Sequence, residues 1–248
     1  MAYQFTVSPD FGPSHIAGWQ IFNTWLQRQL SEGIHFELYD SFDQQRQAIL
    51  EGNVDLIYAN PYDAAMLVRE KGFMAIAKPS GKADEAMIVV NAESNIQSVE
   101  DLKAGTKIAT TDDPDVHVMG MIMLEPADLN TTNVEITQCD AYVLVAKQLL
   151  RGTSDVGFFL EEAYHDMSAM VRDQMRILVT SQIHIIQHVL LVGPKLANRK
   201  DEITNLLESM NKDEKGQGVL DSLDIKSWEH LEHEDVEFMI DLMSTLVE

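Results

Sequence analysis

A chain of 248 residues suits one large domain or two of ordinary size. Apolar residues make up 45% and charged residues 23%, so a sizeable core can be buried and wholesale disorder is excluded. Lys and Arg number 18 against 40 Asp and Glu, and a formal charge of −22 repels phosphate backbones and anionic membrane surfaces, which argues against nucleic acid as a partner. Cys139 is the single cysteine, so no disulfide forms within the chain and a cysteine-rich zinc site is excluded. The longest apolar run, Val118 to Leu124, falls far short of the roughly 20 residues a membrane-spanning helix needs, and no membrane insertion is expected. Met1 leads straight into Ala-Tyr-Gln-Phe-Thr-Val without a basic segment or apolar signal core, so either the chain is cytoplasmic or a leader has been removed and Met1-Ala2 are additions.

In chain order, Gln4 to Ser8 alternates like a strand. Gly12-Pro13-Ser14 then opens a helix, with proline where a missing N–H costs nothing and Ser14 as a capping residue. Ile16, Trp19, Phe22, Leu26 and Leu30 recur at helical spacing and should face the core. A strand is expected over Ile34 to Tyr39, a helix over Phe42 to Glu51 stopped by Gly52, and a buried strand over Val54 to Ala59. Ser98-Val99-Glu100-Asp101 reads as a capping-box helix start with Gly105 as its stop. Lys107 to Thr111 reads as a strand, Asp115 to Leu124 as a helix, Val134 to Gln138 as a strand, and Ala141 to Arg151 as a helix ended by Gly152. Val156 to Leu160, Ile177 to Thr180 and His188 to Val192 read as strands, and Lys200 onward as mostly helical and acidic. Short strands alternating with longer helices indicate α/β architecture.

The two halves echo each other. Ile49-Leu50-Glu51-Gly52-Asn53-Val54-Asp55 matches Leu149-Leu150-Arg151-Gly152-Thr153-Ser154-Asp155, with Leu, Gly and Asp 100 positions apart, and Asp40 and Asp140 keep the same offset. Either one α/β unit recurs by chance of topology, or the chain holds two similar lobes, each an open α/β sheet. Such sheets bind ligands beyond the carboxyl ends of their strands, at helix N-termini.

Glu51-Gly52-Asn53-Val54-Asp55-Leu56-Ile57-Tyr58 followed by Pro61-Tyr62 resembles the substrate-binding proteins of phosphate, phosphite and phosphonate ABC transporters. Ile96 to Gly105 is similar to that family's helix leading into its second lobe. Asp140-Ala141, Arg151-Gly152 to Gly157, and Met210 to Gly216 with Leu220, Leu223 and Ile225 resemble later stretches in the same order. The resemblance implies a two-lobed clamshell of the type 2 periplasmic binding protein kind, each lobe an open sheet flanked by helices, with no catalysis and no cofactor. It places lobe one at 1–86 and 185–248 and lobe two at 87–184, with hinge strands crossing near Met87–Asn91 and Leu178–Ile183. A small polar ligand would be held in the cleft, and the implied partner is the membrane permease of an ABC transporter or a sensor protein. The expected state is a monomer in the periplasm or another extracytoplasmic space.

In the resembling family a Ser/Thr-rich turn after the second lobe's first strand opens a helix and holds an oxyanion. The corresponding stretch here is Thr110-Thr111-Asp112-Asp113-Pro114-Asp115-Val116-His117, so Asp115, Val116 and His117 stand where the hydroxyls should be. A carboxylate at a helix N-terminus satisfies the dipole itself and repels a phosphonate, though Asp115 also reads as a plain cap. Cys139, before Asp140 at a strand end, either faces the cleft or is a buried, inert hydrophobe. Tyr58, Asn60 and Tyr62 line the pocket by resemblance, or serve packing and turn chemistry. Ser8 and Asp10 follow the first strand, and Glu161 follows the equivalent strand of lobe two, where it either receives an amine or hydroxyl or is a solvated turn. His184 joins His117 and Cys139 as a candidate for a metal, yet the spacing matches no compact motif. A gap of four puts His184 and His188 on one face of a strand, too far apart to chelate together, and His230 and His233 read as solvated in an acidic helix. A sensor and an enzyme on the same clamshell compete with the transport reading. Iron-dependent pyrimidine synthases of that fold resemble it but use a cysteine-rich motif that one cysteine cannot supply.

Overall fold

The computed structural model describes residues 2–10 and 13–247. Gly12, expected to open the first helix, lies outside them, as does the side chain of Ser14. The strands are β1 (Tyr3–Val7), β2 (Ile34–Phe36), β3 (Leu56–Ala59), β4 (Met74–Pro79), β5 (Ala86–Asn91), β6 (Lys107–Thr110), β7 (Glu135–Gln138), β8 (Val156–Leu160), β9 (Met175–Thr180), β10 (Val189–Val192) and β11 (Trp228–His230). The α-helices are α1 (Pro13–Leu30), α2 (Phe42–Leu50), α3 (Pro61–Lys71), α4 (Pro114–Met123), α5 (Tyr142–Leu150), α6 (Glu161–His165), α7 (Ala169–Arg172), α8 (Lys200–Glu208), α9 (Glu214–Ser222) and α10 (His233–Val247). They form two compact units. The first joins the residues up to Lys82 with Gln187–Ser244, and the second is Ala83–Ile186 with the residues from Thr245 on.

The first unit holds a sheet in the order β11-β4-β10-β3-β1-β2. Within it β2, β1 and β3 are parallel, and β10 and β11 run antiparallel to their neighbours. Phe5, Val7, Trp19, Phe22, Leu26, Leu190 and Leu220 fill one face, and Ile49, Ile57, Leu67, Leu191 and Ile240 fill the other. Trp19, Phe22, Leu26 and Leu30 of α1 face the core as their spacing requires. Ile16, one turn earlier, is exposed, because periodicity gives the phase of a buried stripe and not where its partner surface ends.

The second unit holds a sheet in the order β7-β6-β8-β5-β9. Again three strands, β7, β6 and β8, are parallel and the next, β5, is antiparallel. Helix α4 reaches that sheet closely because position 120 is glycine: a Cβ there would come within 2.4 Å of the Phe158 ring. The sequence repeat therefore marks equivalent places in two sheets. Gly52 and Gly152 both take positive φ, 74° and 67°, where the chain leaves a helix for a strand. Asp55 and Asp155 then do the same task. The Asp55 carboxylate accepts the Gln4 N–H at 3.0 Å, and that of Asp155 accepts the Lys107 N–H at 2.8 Å, so each pins the start of the neighbouring central strand.

Several expectations need correction. Ser98 to Gly105 is a single 3-10 turn, Val99–Asp101, since Leu102 is already extended with ψ 153°. β2 ends at Phe36, after which Glu37 makes one more bond to Phe5 and the chain leaves the sheet edge for the Ser41 cap of α2. His184 lies outside any strand, with left-handed φ of 58°. His230 closes β11 and His233 opens α10, so no helix carries both, because Leu231-Glu232 turns the chain between them.

Candidate functional site

The parallel strands of each unit end where their following helices begin, so the chemistry to weigh lies there. In the first unit β1 runs into Ser8 and Asp10, and β3 into the start of α3. The buried Ser8 hydroxyl accepts the Asn60 N–H at 3.0 Å, and the Asn60 carboxamide oxygen caps α3 by accepting the Asp63 N–H at 2.7 Å. Asp10 is buried against His188, with Oδ2 2.9 Å from Nε2. His188 stacks on Tyr58, ring centroids 5.2 Å apart. Tyr58 is a core residue, also packed on Trp19 and Trp228. Tyr62, the second residue of α3, is 41% exposed.

Beside Tyr62 stands a group the sequence reading missed. Arg46 of α2 meets Asp63 side-on, with Nε–Oδ1 at 2.6 Å and Nη2–Oδ2 at 3.2 Å. Its guanidinium lies over two rings, 5.3 Å from the Phe42 centroid and 5.2 Å from that of Tyr62. Burial opposes its charge, but the bonds and field of Asp63 outweigh that and hold its pKa above the usual value.

In the second unit β6 ends at Thr110, followed by Thr111, Asp112 and Asp113. The cap of α4 is Asp113, not Asp115: its Oδ1 accepts the N–H groups of Asp115 at 3.0 Å and Val116 at 3.3 Å. Its Oδ2 accepts the Tyr142 hydroxyl at 2.8 Å, tying α4 to the start of α5. The Asp113-Pro114 pair was the available signal, a capping acid before proline at the first helical position. Thr111 is buried and its hydroxyl takes the Asp113 N–H at 3.4 Å. Asp115 and Val116 are buried in the first turn of α4. His117 is partly buried, which pushes its pKa down.

Cys139 is buried after β7, its N–H bonded to Thr110 O at 2.8 Å, and burial pushes its thiol pKa up. Asp140 is exposed. Glu161 opens α6, its N–H bonded to Glu85 O and its carboxylate 3.7 Å from His165. Glu85 is a second missed residue. It is buried and accepts the Ser181 hydroxyl, the Ile183 N–H at 3.2 Å and the His184 N–H at 2.7 Å, with His184 Nδ1 3.3 Å away. Among the described residues no three of His, Cys, Asp and Glu gather as a metal site would need. No described helix is long and apolar enough to cross a membrane.

This architecture is that of the type 2 periplasmic binding proteins. A binding protein component of an ABC phosphonate transporter from Pseudomonas aeruginosa superposes with a TM-score of 0.84 at 14% identity, over 99% of this chain and 86% of that one. PhnD1 from Prochlorococcus marinus in complex with methylphosphonate gives 0.83 at 13%, over 99% and 98%. The periplasmic aliphatic sulphonate binding protein SsuA from Escherichia coli gives 0.64 at 16%, over 98% and 87%. Among curated proteins no sequence matches the chain. The family model described as ABC transporter, phosphonate, periplasmic substrate-binding protein matches residues 5–236, and the chain belongs to that family.

Proposed function

We propose that this family member captures a small polar solute other than a phosphonate, and delivers it to an ABC-type membrane permease. The observation that carries the altered specificity is the start of α4. In the resembling family a hydroxyl-rich turn and free N–H groups hold the oxyanion at this helix. Here Asp113 occupies those N–H groups itself and anchors the carboxylate on Tyr142, and Asp115 adds a second buried acid two residues along, within the first turn. Helix N-termini attract anions only while their N–H groups and dipole are unspent. The candidate contacts of this reading are Ser8, Asp10, Tyr58, Asn60 and Tyr62 from the first unit. From the second they are Thr111, Asp115, Val116, His117, Cys139, Asp140, Glu161 and His184. The rest of the reading is an extracytoplasmic monomer that binds without catalysis.

Ligand-dependent thermal shifts test this. Methylphosphonate, phosphite and phosphate should leave the melting temperature unchanged at millimolar concentration, whereas some member of a panel of neutral, cationic or zwitterionic solutes should raise it. A rise with the phosphorus anions alone would overturn the specificity.

A further inference from the structure

Arg46 is aimed by its surroundings and only partly used by them. Phe42 lies four residues back on the same face of α2, Tyr62 covers the guanidinium from α3, and buried Asp63 grips it side-on. Only 27% of its side chain is exposed. Arginine carries five N–H donors in a rigid fork, and the Nε and Nη2 bonds to Asp63 use one edge. The end-on edge, one N–H from Nη1 and the second from Nη2, bonds to no described residue. Beyond Asp63, Asp43 lies with its Oδ1 3.9 Å from Nη1, outside hydrogen-bonding distance, on a fully exposed side chain.

We propose that the end-on fork of Arg46 is an anion subsite that takes the carboxylate of a small monoanionic or zwitterionic solute, with Phe42 and Tyr62 as its walls. The proposal rests on the solute-binding reading and names the chemistry of its ligand. A planar carboxylate matches two parallel N–H groups. Asp63 already balances the arginine's charge, so the unused N–H donors and not a net positive field would hold the ligand, and a dianion would meet twice the repulsion from Asp63 that a monoanion does. Asp10 adds to this, since it lies near enough to act on Asp63 through space.

Nitrogen-15 spectra of the full chain test it, with lactate and glycine as carboxylate probes and methylphosphonate as the contrast. The Arg46 side-chain signals are identified by their loss in Arg46→Lys. Lactate or glycine should shift them saturably, and Arg46→Lys, which keeps a charge for Asp63 but lacks the fork, should weaken that binding about tenfold or more, the worth of a charge-assisted hydrogen bond. Arg46→Gln combined with Asp63→Asn removes the pair without stranding a charge, and should fold yet bind neither probe. Unmoved Arg46 signals at millimolar carboxylate, or equal affinity in Arg46→Lys, overturn the proposal. Methylphosphonate calorimetry judges α4 separately, because it reads a different helix and a different anion.

Discussion

Asp113 concentrates the argument at the scale of single residues. Removing it strands two α4 N–H groups and takes away the acceptor of the Tyr142 hydroxyl, so Asp113→Ala should cost about 2 kcal/mol of unfolding free energy, the sum of a lost cap and a lost hydrogen bond. Asp140→Ala, at an exposed position, should stay within about 0.5 kcal/mol. Urea denaturation distinguishes the two, and equal losses would refute the capping role. His117 supplies a pH test. Its folded pKa is depressed by burial, so the unfolded chain holds the proton more tightly, and stability should rise with pH through the ordinary histidine value of 6.5 and fall below it. Proton resonance titration should place its midpoint under 6.5, and His117→Gln should remove that share of the acid sensitivity. The acidic turn at 112–115 is legible in the sequence, and Asp113-Pro114 also marks which acid caps, since proline takes the first helical position. Arg46 left no such signal: its partner Asp63 and ring Tyr62 lie on another helix, and no periodicity links them.

At the scale of elements, the repeat was legible because geometry requires its residues. A positive φ after each helix calls for glycine, and the N–H at the start of the adjacent strand calls for a carboxylate. The two aspartates should differ in weight. Asp55 is buried and also meets Lys195 at 2.9 Å, while Asp155 is exposed. Asp55→Ala should therefore cost about 2–3 kcal/mol and Asp155→Ala about 1 kcal/mol, read from chemical denaturation. The reverse order would contradict the assignment. Helix α3 and strand β4 are missing from the sequence expectations although Asn60-Pro61 and Gly72 bracket the helix, because Pro61-Tyr62 carries the family likeness and the capping signal at once. The turn at 98–101 misled in the other direction. Asp101 accepts the N–H groups of Gln97 at 2.8 Å and Ser98 at 3.1 Å, so a capping box is complete there with no helix to follow.

For the whole molecule, the charge of −22 acts on stability through self-repulsion. Screening shortens that repulsion to about 8 Å at physiological ionic strength, so the melting temperature should rise by a few degrees between very low salt and that condition. A flat salt profile would mean that the acids are locally balanced. The family was legible because several weak motifs occur in one order along the chain, and the family model matches residues 5–236. Its ligand was not, because specificity depends on a few strand-end side chains. The most direct measurement is calorimetry of methylphosphonate against the unmodified chain and against Asp113→Ser combined with Asp115→Ser and His117→Ser. A phosphonate charge about 4 Å from a retained carboxylate would be repelled by roughly 4 kcal/mol at an effective dielectric near 20, about a thousandfold in affinity. The account predicts no micromolar binding to the unmodified chain and measurable binding to the triple variant; micromolar binding to the unmodified chain would contradict it.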